Sequence, residues 1–511
     1  MTSFDSGAIL GRLEELRSAD APTHGGRVLS YVYDSGRPEL DELAAQAMRL
    51  VQPVNGLDPT TFTSVAVMER ELVGFARDLL HGDDEVVGSV TSGGTESCLL
   101  AVKTARDVWR AAGGSGTPRL LAPVTVHAAF QKAAALFDLA LDLVPVDATT
   151  GRVDASALIS RIGADVALVV VSAPSYPYAT LDPVGEVAAA CAQAGVACHV
   201  DGCIGGWILP FWTDADGAPL PGWDFRVPGV TSLSADLHKY GYAPKGSSVL
   251  LQRDRDRQRR QYFATTGWPG YPVVNSTLLG SKSAGALAAS WAIVQALGTT
   301  GFAELAESCR RATRGLQDIL GDIEGLRVVG EPTGPLLAVA ADDAVPADRR
   351  VDPHYWADRV RRRGWVLQLQ PGLEQTDGTR LPRTTHLTIT PVTEARIDEL
   401  EAALRGAADE ARGVPPVDGN AVLASLPSEL VAGLTSGATL DSATAAHILA
   451  AIGLAGGSTP GLPDDQAPLL ALVEALPLPL TERLLTELLA RAVEPPVRPD
   501  SAPRFAAPTG E

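Results

Sequence analysis

Cysteine is scarce in this chain of 511 residues: Cys98, Cys191, Cys198, Cys203 and Cys309 are all there are, with no Cys-x-x-Cys pair among them. That excludes a disulfide framework and gives no linear sign of a metal site; most of the five sit among apolar neighbours and read as core thiols. Long apolar runs are missing too. Nothing approaches the roughly 18 residues of a membrane span, and residues 1–30 lack the apolar core of a signal peptide, so a cytoplasmic protein without an integral membrane segment is expected. Basic residues are outnumbered, 42 Lys and Arg against 61 Asp and Glu, for a formal charge of −19. The most basic segment, the mixed run Arg253–Arg260, reads as a solvated helix face. Nucleic acid and anionic membrane are thereby excluded as main partners. What the chain does have is length, with 45% hydrophobic content, enough for a large core plus a smaller domain.

The most informative stretch is Ser234-Ala235-Asp236-Leu237-His238-Lys239-Tyr240-Gly241-Tyr242-Ala243-Pro244-Lys245-Gly246. It sets one lysine among small, aromatic and glycine residues, where a buried amine can be kept reactive. A lysine with a pKa of about 10.4 is almost entirely ammonium at neutral pH, so a nucleophilic role requires desolvation or neighbouring positive charge. His238 and Lys245 are the expected sources of that charge, and Lys239 is the predicted Schiff-base lysine. Taken alone, the run reads equally as a polar turn after a strand.

Three further segments fall at the spacing of successive strand ends. Val90-Thr91-Ser92-Gly93-Gly94-Thr95-Glu96-Ser97 follows an expected strand, Val86–Val90, and precedes an apolar helix, Cys98–Arg110. Two glycines let the backbone approach an anion, and unpaired N–H groups at the helix start favour negative charge, as a phosphate monoester requires. Thr95 or Ser97 would also serve as an ordinary helix cap. The apolar strand Ala197–Asp201 ends in a carboxylate followed by Gly202-Cys203-Ile204-Gly205-Gly206. Asp201 is placed to pair with a protonated pyridine nitrogen, or to cap a turn. In Thr125-Val126-His127-Ala128-Ala129-Phe130-Gln131-Lys132, His127 is placed to stack on a cofactor ring or to begin a helix. The order glycine-rich loop, His127, Asp201, Lys239 points to pyridoxal 5′-phosphate as the cofactor of a fold-type-I enzyme.

The organisation agrees. Residues 1–60 read as an N-terminal arm with helices Ser6–Arg17 and Pro38–Leu50. Residues 61–300 alternate helical periodicity with short apolar strands, including Leu168–Val171 and Val249–Leu251. Such alternation predicts an α/β architecture with a large, mostly parallel sheet covered on both faces, and the cofactor segments make it the fold-type-I, aspartate aminotransferase-like kind. Its ligand site lies beyond the strand carboxyl ends, where His127, Asp201 and Lys239 are expected. Residues 301–412 carry a helix at Phe302–Leu320, strands near Leu326–Val329 and Leu336–Val339, and His386–Thr390, forming a smaller C-terminal α+β domain. His386 reads as a packed strand residue, with the active-site cleft as its alternative position. Residues 413–511 are an Ala, Leu and Pro-rich helical extension, with helices at Asn420–Leu434, Ser442–Ile452 and Ala467–Arg491 and a disordered end from Glu494.

The stretches Thr91–Ser97, His127–Lys132, His199–Gly206 and above all Val230–Ser248 resemble the sphingosine-1-phosphate lyases, a branch of the group II pyridoxal-dependent decarboxylases, over residues 25–400. The resemblance implies that Lys239 carries the cofactor, that Asp201 is the pyridinium partner and His127 the stacking residue, and that Gly94, Thr95 and His238 lie near the cofactor phosphate. It matches Tyr33 to a tyrosine near the substrate, Lys245 to a second active-site lysine, Asn55 to a pocket asparagine, and Leu279–Gly285, with Ser281 and Lys282, to a loop returning to the site. It also implies a homodimer with the site at the interface. The chain departs from the family in two places. Asn55-Gly56-Leu57-Asp58-Pro59 lacks the histidine of the family's Asn-Pro-Leu-His-Pro-Asp tract, and Lys282 replaces an arginine, losing its bidentate fork. Recognition of a substrate phosphate is left open by both.

With a small-molecule amine as substrate, the protein selects the reaction by choosing which bond stands perpendicular to the cofactor plane. Cleavage of Cα–Cβ in a hydroxylated amine, a phosphorylated amino alcohol, gives an aldehyde and an amine, with Lys245 or Tyr33 as the base. Loss of carbon dioxide from an L-amino acid is the alternative. The match around Lys239 together with Lys245 and Tyr33 favours the first over the second and both over transamination. A cofactor-binding protein that has lost activity and assembles through its tail is the reading from another class, against which the retention of Lys239, Asp201, His127 and Lys245 speaks.

Overall fold

Strand Val166–Ser172 is buried at every position, and its side chains divide by parity. Leu168 and Val170 join one apolar cluster with Leu120, Ala122, Val102 and Phe130, while Val169 and Val171 join another with Leu121, Val200, Leu72 and Phe302. A strand that feeds two cores has helices on both faces, which is why its sequence reads as an unbroken apolar run and not an alternating one. The computed structural model describes residues 5–424, 441–451 and 464–495. It divides into two units, residues 1–414 and 415–511.

In the first unit seven strands form one sheet: β1 (Val87–Thr91), β2 (Arg119–Pro123), β3 (Ala140–Val144), β4 (Val166–Ser172), β5 (Ala197–Asp201), β6 (Ser232–Ala235) and β7 (Ser248–Gln252). They lie in the order β1-β7-β6-β5-β4-β2-β3. The pairs from β3 through β6 are parallel, and β7 alone runs against its neighbours β6 and β1. The carboxyl ends of six strands therefore share one edge with the amino end of β7, the edge where a mostly parallel sheet binds its ligand. A smaller antiparallel sheet follows, in the spatial order Leu326–Val328, Leu336–Ala341, Thr384–Thr388, Gln368–Gln370. It packs against helix Pro353–Arg361, which in turn packs against helix Ile397–Ala411.

Several expected elements need revision. The helix after β1 begins at Gly94, one turn before Cys98. The helix expected at Phe302–Leu320 is the second half of Gly285–Gly321, whose two segments meet at Gly298, in the non-helical conformation φ 51°, ψ −169°. By length and composition this is the one helix among the described residues apolar enough to cross a membrane, and 56% of its most apolar window is buried inside the protein. The Arg253–Arg260 run is not uniformly solvated. Arg253 donates to the carbonyls of Phe225, Val227 and Val230, tying down the loop before β6.

In the second unit helices Gly419–Ala424, Ser442–Ala451, Ala467–Ala475 and Leu478–Ala492 are described, with Ile448, Leu449, Leu472, Leu476 and Leu484 in a small core. A continuous helix over Ala467–Arg491 does not form. Leu476 and Pro477 are extended, at ψ 148° and 138°, because Pro477 disfavours the α conformation in the residue before it and, with Pro479, removes backbone donors. Most of the expected helix Asn420–Leu434 and the tail beyond residue 495 lie outside the described residues.

Leu168→Ala tests the two-cored sheet. Removing a fully buried side chain from an interior strand is expected to cost about 2–5 kcal/mol, read as a lowered midpoint in urea unfolding.

Candidate active site

At the carboxyl end of β1 the chain turns through Gly93, at φ 144° and ψ 170°, into the helix beginning at Gly94. No side chain caps that helix start, and its first intrahelical bond runs from Ser97 N–H to the Gly93 carbonyl. The N–H groups ahead of it have no helical partner. Buried hydroxyls fix the turn from behind, Thr91 Oγ1 to Ser97 Oγ at 2.7 Å and Ser97 Oγ to Ser248 Oγ at 2.9 Å. Glu96 accepts from the N–H groups of Ser92 and Leu278, which ties the turn to the loop near Lys282. Thr95 is exposed at the helix start. A Cβ on Gly94 would lie 2.4 Å from Asp236 Oδ2, so only glycine allows this approach.

Beyond β6, Lys239 Nζ stands 3.0 Å from Asp236 Oδ2, with Asp236 almost wholly buried. Burial alone would lower the lysine's pKa, but the Asp236 charge overrides it and the net shift is well upward. The expectation that His238 and Lys245 make this amine nucleophilic is therefore corrected: without cofactor it is an ammonium held by a carboxylate. His238 donates from Nδ1 to the Ser247 carbonyl at 2.7 Å, which directs Nε2 toward Asp236 Oδ2, 3.6 Å away. Burial lowers its pKa despite that carboxylate. Asp236 Oδ1 has no hydrogen-bond partner among the described residues.

Asp201 ends β5 and accepts the Cys203 N–H at 3.1 Å. His127 caps the helix Ala128–Phe137, its Nδ1 accepting the Ala129 N–H at 3.2 Å. Burial depresses its pKa, so the ring is neutral with its proton on Nε2. The capping alternative for His127 is thus realised, and the ring still faces the cavity.

Gly94, Thr95, His127, Asp201, His238 and Lys239 line one cavity of about 350 Å³. Lys245 and Tyr33 stand together beside it. The Lys245 ammonium lies 4.7 Å from the Tyr33 ring centroid and donates to the His238 carbonyl at 3.1 Å. Desolvation and, second, the Lys239 charge bring Lys245 down to about 8, whereas burial pushes Tyr33 up to about 12. Asn55, Ser281 and Lys282 are brought together elsewhere. Asn55 bonds Ser281 Oγ and the Lys282 N–H, both at 3.3 Å, in a hollow of about 1250 Å³ whose lining includes neither Lys239 nor Asp201.

Sequence reasoning missed Asp236, Tyr176, Cys98 and Cys203, all of which line the cavity. Only Asp236 left a signal, three residues before the lysine. Tyr176 stacks on His386 at 4.2 Å and donates to Gln368, so His386 is a buried strand residue supporting a cavity wall. The cysteine spacing gave no metal site, yet Cys98, Cys203 and Asp201 place their ligating atoms within 4.8 Å of one another. A phosphorylated, cationic ring fits what is present in this one cavity: an uncapped helix start with no Cβ at Gly94, a carboxylate in Asp201 and an amine in Lys239.

Residues 60–339 match the pyridoxal-dependent decarboxylase conserved domain, and residues 421–491 match a pyridoxal-dependent enzyme C-terminal putative HTH domain. A sphingosine-1-phosphate lyase from Dictyostelium discoideum is 34% identical over 390 residues, 76% of this chain and 70% of that one. The rat enzyme, sphingosine-1-phosphate lyase 1, is 35% identical over 385 residues, 75% of this chain and 64% of its own length. The solved sphingosine-1-phosphate lyase of Burkholderia pseudomallei superposes with a TM-score of 0.72 at 33% identity, covering 80% of this chain and 92% of that structure. Glutamate decarboxylase of Lactobacillus brevis, at 20% identity and a TM-score of 0.69, shares the fold.

Gly94→Ala is expected to push Asp236 out of place and weaken pyridoxal phosphate binding at least about tenfold. Titration of the full chain with the cofactor, followed by absorbance, checks it. Wild-type affinity in the variant would mean that the turn does not hold the phosphate.

Proposed function

The chain belongs to the pyridoxal-dependent decarboxylase family, in its sphingosine-1-phosphate lyase branch, and we propose from this that it cleaves the Cα–Cβ bond of a phosphorylated amino alcohol to an aldehyde and an amine. Lysine 245 carries the reading: an amine beside the cofactor cavity, lowered to about 8 and packed against Tyr33. Cleavage of that bond needs a base for the hydroxyl on Cβ. At neutral pH roughly a tenth of an amine with a pKa near 8 is unprotonated, against about one part in 10⁵ of a phenol near 12. Lys245 is therefore the base, and Tyr33, whose ring packs against the Lys245 ammonium, keeps its own proton.

The bound pyridoxal phosphate supplies an electron sink for the bond that breaks. The chain's own residues do the rest. With the cofactor bound, Asp201 would hold a proton on the ring nitrogen, His127 would cover a ring face, and the Gly93–Glu96 turn with His238 would receive the phosphate. Lys239 Nζ, held by Asp236, carries the proton that the α-carbon requires after cleavage. Decarboxylation would need none of the base chemistry at Lys245, and the decarboxylase neighbour shares only the fold.

We also propose a cytoplasmic homodimer. Asn55, Ser281 and Lys282 face a hollow apart from Lys239, so their contact with substrate would have to come from the second copy. Helix Ser6–Arg17 has no buried residue and exposes Ile9, Leu10, Leu13 and Leu16, and the hairpin Phe263–Asn275 exposes Phe263, Tyr271 and Val274. Patches of this kind are covered in assemblies. An active monomer of 53.3 kDa in sedimentation would refute the dimer.

Product analysis tests the reaction. The cofactor-loaded protein is expected to yield aldehyde and phosphoethanolamine from phosphorylated long-chain amino alcohols; carbon dioxide and an amine from free amino acids would overturn the lyase reading. With the productive substrate, kcat/KM should rise to a plateau above about pH 8. Lys245→Gln should abolish that limb and lower kcat by about 10²–10⁴-fold.

A further inference from the structure

We propose that the cofactor-free protein binds one thiophilic divalent cation, of the zinc and cadmium class, on Cys98 Sγ, Cys203 Sγ and the Asp201 carboxylate, and that cation and cofactor exclude one another. The second half rests on Asp201 being the ring-nitrogen partner.

Helix Gly94–Ala111 contributes Cys98 from its second turn, the last residue of β5 is Asp201, and the loop after it contributes Cys203. The three ligating atoms already lie within 4.8 Å of one another. Metal–sulfur bonds of about 2.3 Å and metal–oxygen bonds of about 2.0–2.2 Å need tetrahedral ligands about 3.5–3.8 Å apart, a closure that small side-chain rotations supply. All three residues are buried, at 1%, 6% and 8% exposure, so the chelate is shielded from bulk solvent. As each sulfur coordinates, its thiol proton leaves to solvent, and two thiolates with one carboxylate then meet the dication.

The surroundings support the sulfur. Cys203 Sγ is 3.2 Å from Ser234 Oγ, which in turn lies 3.2 Å from His199 Nε2, while His199 Nδ1 is fixed by Ser232 Oγ at 2.8 Å. The thiol is the donor in this contact, which orients it; once its proton has left, the Ser234 hydroxyl can turn to donate to the sulfur. All three ligands line the cavity of about 350 Å³, so the fourth position of a tetrahedral ion opens onto space that water can fill, as in zinc sites with three protein ligands. A cation on Asp201 would put positive charge where the ring nitrogen must keep its proton, which is why the two ligands compete. The other described thiols differ. Cys191, Cys198 and Cys309 are buried too, but they belong to no such group among the described residues.

The test uses the full-length protein, kept reduced with a non-thiol reductant, with and without bound pyridoxal phosphate, titrated with cadmium alone. The expected result is one equivalent bound to the cofactor-free protein, with an ultraviolet thiolate-to-cadmium charge-transfer band, and none bound to the loaded protein. Cys98→Ser and Cys203→Ser should each weaken binding at least about tenfold, while Cys191→Ser and Cys309→Ser leave it unchanged. Circular dichroism and cofactor uptake by each variant show that it is folded. No band, or a band that survives Cys203→Ser and vanishes in Cys191→Ser, overturns the site. A band that depends on Cys98 and Cys203 yet persists undiminished in the loaded protein overturns the exclusion, and with it the placement of the ring on Asp201.

Discussion

A buried ion pair organises this active site: Lys239 Nζ against Asp236 Oδ2 at 3.0 Å. Asp236 is the deeper partner, its side chain 1% exposed against 18% for Lys239, and removing the lysine would leave a desolvated carboxylate at a cost of about 3–5 kcal/mol. The pair dictates its neighbours. Gly94 must lack a side chain because Asp236 fills the space. The amine cannot wander, because the carboxylate that charges it also aims it. The arrangement trades readiness for position: the lysine is not pre-activated, and it must lose its proton when the cofactor arrives.

Topology explains how residues so far apart in sequence come together. Reversing β7 brings Ser247 to the same sheet edge as the carboxyl ends of the parallel strands. There its carbonyl takes the Nδ1 proton of His238, fixing which nitrogen faces the carboxylate. Glu96 then couples the glycine turn to Leu278 and so to the loop carrying Ser281 and Lys282. One carboxylate thus links the cofactor cavity to the second hollow.

The sequence made the cofactor chemistry legible because strand ends are legible. An apolar run stopping at Asp201, a glycine pair after Val90 and a lysine in a small-residue turn each mark where backbone leaves the sheet. The sign of the local electrostatics was not legible. Asp236 was in plain view three residues before Lys239, but a turn of chain does not say which neighbour its side chain meets, and His238 and Lys245 looked equally close. The grouping of Cys98 with Cys203 was likewise invisible, since it arises from a helix and a loop approaching across the sheet edge. The break at Leu476–Pro477 could have been read from its prolines, and periodicity alone overrode them.

The central claim is that Lys239 alone carries the cofactor covalently, although Lys245 is the less protonated amine. Borohydride reduction of the loaded protein followed by peptide mass spectrometry tests it most directly. The account predicts one pyridoxyl group per chain, on Lys239; the group on Lys245 or Lys282 would contradict it.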